Sequence, residues 1–309
     1  HTSFWYLRSR FESWWASFRH PTPNAERRTS NDPSIEFPLP DSKPHSDPHL
    51  AAIILAAGKG TRMGGDLPKV VHEVCGRPMV CWVVDACRAA GVSRCVVVVG
   101  YRGELVRDAL AGEAEKPGMS IEFVEQPEQL GTGHAALMAE PVLSGERDHG
   151  ESPTDAFVLN GDGPLIRAST LRTLHDTHRR ERADGTVATA VLDDPTGYGR
   201  ILRDADGGLL GIVEQKDATP EQLAVKEINP NYLCYRTAAL FDAIRKVGSD
   251  NAQGEMYLTD VPKVIRAEGG KLAVVDAVPA EDVLGVNTPE QRAEVETILS
   301  QRREQEAHT

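Results

Sequence analysis

From residue 49 onward, short apolar runs alternate with segments whose apolar residues recur at helical spacing, and this alternation restricts the fold more than any other feature. Ala51–Ala56 reads as a buried strand. Met79–Ala90 places Val80, Val83, Val84 and Cys87 on one helical face. Cys95–Val99 is a β-branched run closed by Gly100, too short for a helix. Glu104–Leu110 then reads as a helix, Ile121–Val124 as a strand, Gly133–Met138 as a helix start, Ala156–Leu159 as a strand and Ser169–Arg182 as a helix. Strands apolar along their whole length, with helices between them, predict an α/β protein with a doubly wound, mostly parallel sheet covered on both faces.

After Gly185 the pattern changes. Thr186–Leu192 and Ile228–Tyr235 read as extended, and Arg200–Arg203 and Leu209–Val213 flank the turn signal "DADGG". These strands predict a mixed sheet with insertions in the second half. Helical patterns resume at Ala238–Lys246 and Leu258–Ala267, and Leu272–Val275 is a final strand. Thr288-Pro289-Glu290-Gln291 predicts a helix start: a hydroxyl cap, Pro at the first helical position and Gln where a capping box needs it.

The formal net charge of -12 over 309 residues argues against general nucleic-acid binding and against an anionic membrane surface. No segment reaches the roughly 18 apolar residues that span a bilayer. Cys75, Cys81, Cys87, Cys95 and Cys234 form no CxxC pair, which fits reduced thiols in a cytoplasmic protein. His45, His49, His72, His134, His149, His175 and His178 show no metal-ligand spacing. Residues 1–48 begin with an aromatic stretch interrupted by Arg8, Arg10, Glu12 and Arg19, and continue rich in Pro, Ser, Asp and Asn. That composition predicts a disordered extension ahead of one domain over 49–309, with an aromatic surface helix near Trp14 as the alternative for its start.

The first strand runs into "LAAGKGTRM", Leu55–Met63, a glycine loop carrying Lys59 and Arg62. It is not the dinucleotide fingerprint, which needs a third glycine where Met63 stands. Nor is it a P-loop, because Gly60 is followed by Thr61 rather than Lys. A glycine loop after a buried strand still lets backbone N–H groups approach an anion, and the cations can neutralise phosphate oxygens. A βα turn with solvated charges is the plainer alternative.

The complete string is more specific. "LAAGKGTRM" and "LPKVVHEVCGRPMV" are followed in order by "EQPEQLGTGHA", "NGDGPL", "TGYGRI", "IVEQKDA", "EIN", "NAQGEMYLTD" and "GVNTPEQ". Over residues 50–300 this series resembles the sugar-nucleotide-forming nucleotidyltransferases, in particular the uridyltransferase domain of the bifunctional bacterial enzyme that makes UDP-N-acetylglucosamine. The resemblance implies a Rossmann-like nucleotidyltransferase fold whose inserted strands build a sugar site. It implies attack of a sugar 1-phosphate, N-acetylglucosamine 1-phosphate first, on the α-phosphorus of UTP, with release of pyrophosphate. Positioning and charge neutralisation should dominate such a reaction between polyanions.

Residue by residue, the resemblance places the nucleotide on Leu55, Ala56, Ala57, Gly58, Gly60 and Thr61, with Gln126, Gly131 and Thr132 at the base and ribose. It makes Arg62 the residue for the leaving pyrophosphate and Lys69 the bridge between nucleotide and sugar phosphates. Gly199, Glu214, Asn229 and Asn287 fall at sugar contacts, and Asp162 with Asn287 at Mg²⁺ ligands. Tyr198 either covers the sugar or belongs to the core. Lys69 could instead be a surface lysine, Asp162 a turn residue, Asn287 a helix cap, and Gln126 is readily confused with Gln129.

Two departures bear on the sugar. Pro230-Asn231 follows Asn229 where the family has a small residue and then Gly, and Gly163 stands where a bulkier residue is common. They keep open the same chemistry on glucose or N-acetylmuramate 1-phosphate. A non-catalytic nucleotide-sugar-binding regulator is the alternative from another class. No hexapeptide repeats of a left-handed β-helix follow Gln291, so the family's acetyltransferase half and its trimerisation element are not expected in this chain.

Overall fold

The computed structural model describes residues 46–60, 63, 66–144, 153–276 and 278–307. The disorder expected of the N-terminal extension, and Thr61 and Arg62 of the glycine loop, lie outside the described residues.

The chain enters the fold through β1 (Asp47–Ala56), followed by the short hairpin of β2 (Glu73–Val74) and β3 (Arg77–Pro78). Next come α1 (Met79–Ala89), β4 (Val92–Val99), α2 (Gly103–Ala114), β5 (Ser120–Glu125), α3 (Thr132–Leu137), α4 (Glu140–Leu143), β6 (Asp155–Asn160) and α5 (Ala168–Glu181). The second half supplies β7 (Gly185–Ala188), β8 (Ala190–Val191), β9 (Gly199–Arg203), β10 (Leu209–Val213), α6 (Pro220–Leu223), β11 (Glu227–Asn229), β12 (Leu233–Arg236), α7 (Thr237–Ile244), α8 (Val261–Ala267), β13 (Leu272–Val275) and α9 (Pro289–Ala307).

Seven strands form the main sheet in the order β13-β7-β12-β6-β1-β4-β5. Every neighbouring pair is parallel except those of β12, which runs against both β6 and β7. The period-two alternation of β1 explains its central place. Ala52 and Ile54 pack with Val80 and Val83 of α1 and with Leu171 and Leu174 of α5. Ala51 and Ile53 face the other way, onto Ala135 and Ala136 of α3 and Leu240 and Phe241 of α7. A fully buried side chain of the Ile or Leu kind contributes roughly 1.5–3 kcal/mol, so a strand apolar on both faces is held only in the middle of a sandwich of helices. Cys81, Cys87, Cys95 and Cys234 are buried, and all five cysteines are unpaired.

Two extended runs of the sequence are divided between sheets. Thr186–Leu192 breaks at Thr189, so that β7 stays in the main sheet while β8 joins the small antiparallel sheet β10-β9-β11-β8. Ile228–Tyr235 breaks at Pro230-Asn231 into β11 and β12, again on different sheets. Pro has no ladder N–H, and Asn231 takes a φ of 61°, so the strand cannot continue through them. The "DADGG" turn closes β9 onto β10, with the Asp204 side chain accepting from the N–H groups of Asp206 and Gly208. Helix α9 starts at Pro289 as expected, and Thr288 Oγ1 accepts from the Gln291 N–H at 3.3 Å. The return bond is shifted by one residue: Gln291 Oε1 accepts from the Asn287 N–H at 2.7 Å rather than from Thr288.

In this strand order the chain leaves β1 toward β4 on one side and reaches β6 on the other. The C-terminal end of β1 is therefore a topological switch point, the place where open α/β sheets leave a crevice for ligands.

Candidate active site

Two cavities lie side by side at that switch point. One, of about 260 Å³, is lined by Leu55, Ala57, Gly58, Gln126, Gly131 and Thr132 among others. The other, of about 160 Å³, is lined by Tyr198, Gly199, Glu214, Asn229 and Asn287 among others. Lys69, Asn160 and Asp162 line both and form the wall between them.

Lys69 opens a single 3-10 turn after Pro68. Its ammonium pairs with the Asp162 carboxylate and donates to Asn287 Oδ1 at 2.6 Å. Asp162 follows the end of β6 at Asn160, and the Gly161 N–H between them donates to the Leu55 carbonyl at 3.0 Å. Asn287 comes from a loop fixed at several points. Val286 N–H donates to the Asp162 carbonyl at 3.2 Å, Gly285 N–H donates to the Tyr198 hydroxyl at 3.3 Å, and Tyr232 donates to the Asp282 carbonyl at 2.6 Å. Gly60 supports Lys69 from below. Its φ is +67°, and a Cβ added there would stand 2.5 Å from Lys69 Cβ. Only glycine satisfies both conditions.

The first cavity, the one lined by Gln126 and Gly131, is closed by a loop from each half of the chain. Gln126 is buried, with its Nε2 3.1 Å from the Gly131 carbonyl and 3.1 Å from His134 Nδ1. With Nε2 committed in this way, Oε1 is the end that can accept from a ligand. Gly131 sits at φ +111°, where a Cβ would come within 2.5 Å of the Met256 carbonyl oxygen. Leu130 accepts from Met256 N–H at 2.8 Å, Met256 accepts from Gly133 N–H at 2.8 Å, and Thr132 Oγ1 accepts from Leu258 N–H at 3.0 Å. Gln129 lines the same cavity, and its amide donates to the Ala57 carbonyl at 2.6 Å.

In the second cavity, burial pushes the Glu214 carboxyl above the ordinary carboxylate range, and Asp217 and Asp260 push the same way. The Thr259 hydroxyl, donating to Glu214 Oε1 at 2.9 Å, works against that rise without reversing it. Tyr198 lines the cavity, packs against the core, and its hydroxyl accepts from the Gly285 N–H in the loop that carries Asn287.

Several residues expected at the nucleotide stand elsewhere. Ala56 is 1 % exposed, lies within β1 and lines neither cavity. Gly60 acts through Lys69. The Lys59 ammonium lies 5.0 Å from the centre of the Tyr101 ring, in a neighbouring cavity of about 440 Å³ that shares Gln126 and Gln129 with the nucleotide side. Asn160, Glu255 and Asn231 are among the wall residues that were not assigned to the site from the sequence. Asn160 and Glu255 stand inside quoted motifs, where the neighbouring Asp and Gly drew the attention. Asn231 appeared only as a departure.

Among the described residues, no group of three or more His, Cys, Asp or Glu side chains is placed to hold a metal ion. The oxygen pair of Asp162 and Asn287 is the arrangement that faces a cation at the shared wall. No helix among the described residues is long and apolar enough to cross a membrane.

A doubly wound sheet with paired cavities at its switch point, joined by a lysine and a carboxylate, is the arrangement of a ligand-binding α/β protein. Residues 52–264 match the family model of the MobA-like NTP transferase domain, and the chain belongs to that family. It is 46% identical over 251 residues to the "Bifunctional protein GlmU" of Heliobacterium modesticaldum, covering 81% of this chain and 52% of that protein. It is 46% identical over 253 residues to the protein of the same name from Geobacter metallireducens, covering 82% of this chain and 51% of that one. The chain thus spans about half the length of the curated relatives it matches. In fold it is similar to UDP-glucose pyrophosphorylase complexed with UDP-glucose, with a TM-score of 0.67 at 17% identity over 82% of this chain and 98% of that one. The apo form of UDP-glucose pyrophosphorylase gives 0.66 at 16% identity, with the same coverage. At such identity the likeness shows the architecture alone.

Proposed function

We propose that the protein transfers a uridylyl group from UTP to a sugar 1-phosphate, N-acetylglucosamine 1-phosphate first. An oxygen of the sugar phosphate forms a bond to the α-phosphorus of UTP, the bond from that phosphorus to the bridging oxygen breaks, and pyrophosphate carries away the electron pair. The observation that carries this reading is the shared wall: Lys69, Asp162 and Asn287 meet where one cavity adjoins the other. The relatives named GlmU support the substrate class.

The nucleophile is already an anion, so no general base is required. Bringing two polyanions together is the difficulty, and fixed positive charge is the remedy. Lys69 is the bridging cation, and Arg62 is assigned the leaving pyrophosphate. Leu55, Ala57 and Gly58 bound the nucleotide, and Gln126 Oε1 accepts the N3–H of uracil, which cytosine lacks. Glu214, Asn229 and Gly199 bound the sugar.

Asp162 and Asn287 offer two hard oxygens to one cation, the Lys69 ammonium, and this donor set fits Mg²⁺, which takes few protein ligands and fills its shell with phosphate oxygens and water. When bound, the ion supplies charge neutralisation at the phosphates. We assign residues 49–309 to one nucleotidyltransferase domain. Its unpaired cysteines fit a cytoplasmic setting.

The test is pyrophosphate release from UTP, dTTP or CTP with a panel of sugar 1-phosphates. Fastest turnover of UTP with N-acetylglucosamine 1-phosphate is expected. The second reading, another sugar such as glucose or N-acetylmuramate 1-phosphate, is favoured by Asn231 in the sugar-side wall, and faster turnover of either would establish it. Absence of turnover with every pair would leave a nucleotide-sugar-binding protein.

A further inference from the structure

Val295, Leu299 and Arg302 of α9 stand at i, i+4 and i+7, so the three share one helical face. Val295 and Leu299 are buried in one core cluster with Leu165, from the loop after β6, and Val286, from the loop before α9. Arg302 continues that apolar stripe with a guanidinium, and its side chain is 14 % exposed. The two loops it meets are those that carry Asp162 and Asn287.

The guanidinium fork reaches both loops. Its Nη1 donates to the Leu165 carbonyl at 2.9 Å, while Nη2 donates to Asp282 Oδ1 at 2.5 Å and to the Glu281 carbonyl at 3.3 Å. Asp282 is 1 % exposed, and Arg167, the last residue before α5, donates to the same carboxylate from Nε at 3.0 Å. Arg167 Nη2 also donates to Glu281 Oε1 at 3.0 Å, so two guanidiniums face two carboxylates. At the site end, the loops are joined by the Val286 N–H and the Asp162 carbonyl. At the far end they are joined by these ions.

Such a network is weak evidence of stability, because apolar side chains of similar volume often replace buried ion pairs without loss. An apolar replacement cannot tie a carbonyl on one loop to a carboxylate on the other. Spacing matters here because Mg²⁺ demands near-ideal octahedral geometry, and the two oxygens offered to it come from different loops. We propose that Arg302 is a positioning residue for the cation site at the shared wall: by clamping Leu165 and Asp282, it holds the loops of Asp162 and Asn287 at the separation a divalent ion needs. The inference rests on the reading of Asp162 and Asn287 as the oxygen pair for that ion.

Position and charge predict opposite signs. A fixed cation repels a metal ion, so by charge alone the removal of the Arg302 guanidinium tightens metal binding. Loss of the clamp weakens it.

The probe is Mn²⁺, which suits the same oxygen ligands as Mg²⁺ and whose free form is read by electron paramagnetic resonance. It is titrated into the full chain with saturating UDP-N-acetylglucosamine, and into the nucleotide sugar alone as the blank. The proteins compared are the unsubstituted chain, Arg302→Met, Arg167→Met, Asp162→Ala and Asp155→Asn. Arg302→Met keeps most of the stem and removes the fork. It is expected to raise the Kd for Mn²⁺ about tenfold, the scale on which outer partners of metal ligands act. Arg167 is exposed, so Arg167→Met keeps the fold; it should shift the Kd in the same direction, and it carries the test if Arg302→Met does not fold. Asp155→Asn loosens the opposite end of the sheet and should leave the Kd within about twofold, as expected of a distant, independent site. Unchanged or tighter Mn²⁺ binding in Arg302→Met, or in Arg167→Met in its stead, overturns the proposal, as does an equal loss in Asp155→Asn. Asp162→Ala should abolish the binding. Mn²⁺ held as before in that variant, or by none of the proteins, defeats the reading of the cation site and the proposal with it. A loss in Asp162→Ala with none in Arg302→Met defeats the clamp alone.

Discussion

The backbone N–H of Val286 donates to the carbonyl of Asp162 across 3.2 Å, tying the loop after β6 to the loop before α9. That bond, with those from Gly285 and Tyr232, holds Asn287 beside Asp162, and the Lys69 ammonium meets both side chains. The wall between the cavities is thus assembled from three distant parts of the chain. Replacing Lys69 with Met keeps most of the stem and removes the charge. The expected result is a fall of roughly 100- to 1,000-fold in kcat, the cost of removing one fixed charge-stabilising group from a transition state. KM for UTP should change far less. Steady-state kinetics with both substrates varied checks this, and a kcat within twofold of the original protein would remove Lys69 from the mechanism.

Gly131 provides a test of the loop proposed to hold uracil. Its φ of +111° and the approach of the Met256 carbonyl leave no room for a methyl group. Gly131→Ala should raise KM for UTP, because Gln126 Nε2 is held by the Gly131 carbonyl. It should also lower stability by on the order of 1–3 kcal/mol, the cost of a strained backbone position. Denaturant unfolding with UTP kinetics separates the two effects. Full stability with normal UTP affinity would contradict the packing described for this loop.

The sheet was legible in the sequence because its strands are apolar on both faces and its helices on one, and burial imposes those two periods directly. β1, β4 and β6 stand close to where their apolar runs place them. The passage of the second half between sheets was not legible. Thr186–Leu192 and Ile228–Tyr235 look continuous by composition, and only the Pro230-Asn231 turn and the bonds at Thr189 divide them. Asp162, Lys69 and Asn287 were each singled out from separate motifs, and the structure brings the three together. The Tyr101 ring beside Lys59 is a neighbour that no local pattern in the glycine loop reveals. Asn160 and Glu255 reach the cavity through the geometry of strand ends and a long loop, which spacing does not encode.

Glu214 links the sugar side to pH. Burial holds its carboxyl above the usual range, so it takes up a proton at a higher pH in the folded protein than in the unfolded chain. A raised carboxyl contributes stability below the unfolded value, and that contribution is lost as pH rises through the folded one. At neutral pH and above, the ionised group therefore opposes folding. Glu214→Gln can still accept from Thr259, and it should melt higher than the original protein at pH 8, with the difference closing in acid. The same variant should raise KM for the sugar 1-phosphate, because an amide replaces a charged acceptor. Thermal unfolding at several pH values tests the first expectation, and a variant that melts lower at pH 8 would refute it.

Asp155 sets the opposite trend at the far end of the sheet. It begins β6, with His175 Nε2 at 3.1 Å and His178 Nε2 at 3.6 Å, and His178 Nδ1 lies 2.8 Å from Thr186 Oγ1. Burial alone would raise its carboxyl, but the hydrogen bond with His175 and the proximity of His178 outweigh burial and hold it well below the ordinary carboxylate range. A depressed carboxyl stabilises the fold above the unfolded value, about 3.9 for Asp, and loses that contribution as pH falls toward the folded value. Asp155→Asn should therefore be less stable than the original protein at pH 6 and above, with the gap narrowing below about pH 4 as the original protein loses its advantage. Because the two histidines lie on α5, away from the cavity walls, kcat at neutral pH should stay within about twofold, as for substitutions that touch neither substrate nor its contacts. Urea unfolding at pH 3.5 and pH 7, with turnover measured at pH 7, checks both statements. A gap that widens in acid would reverse the sign argued for Asp155.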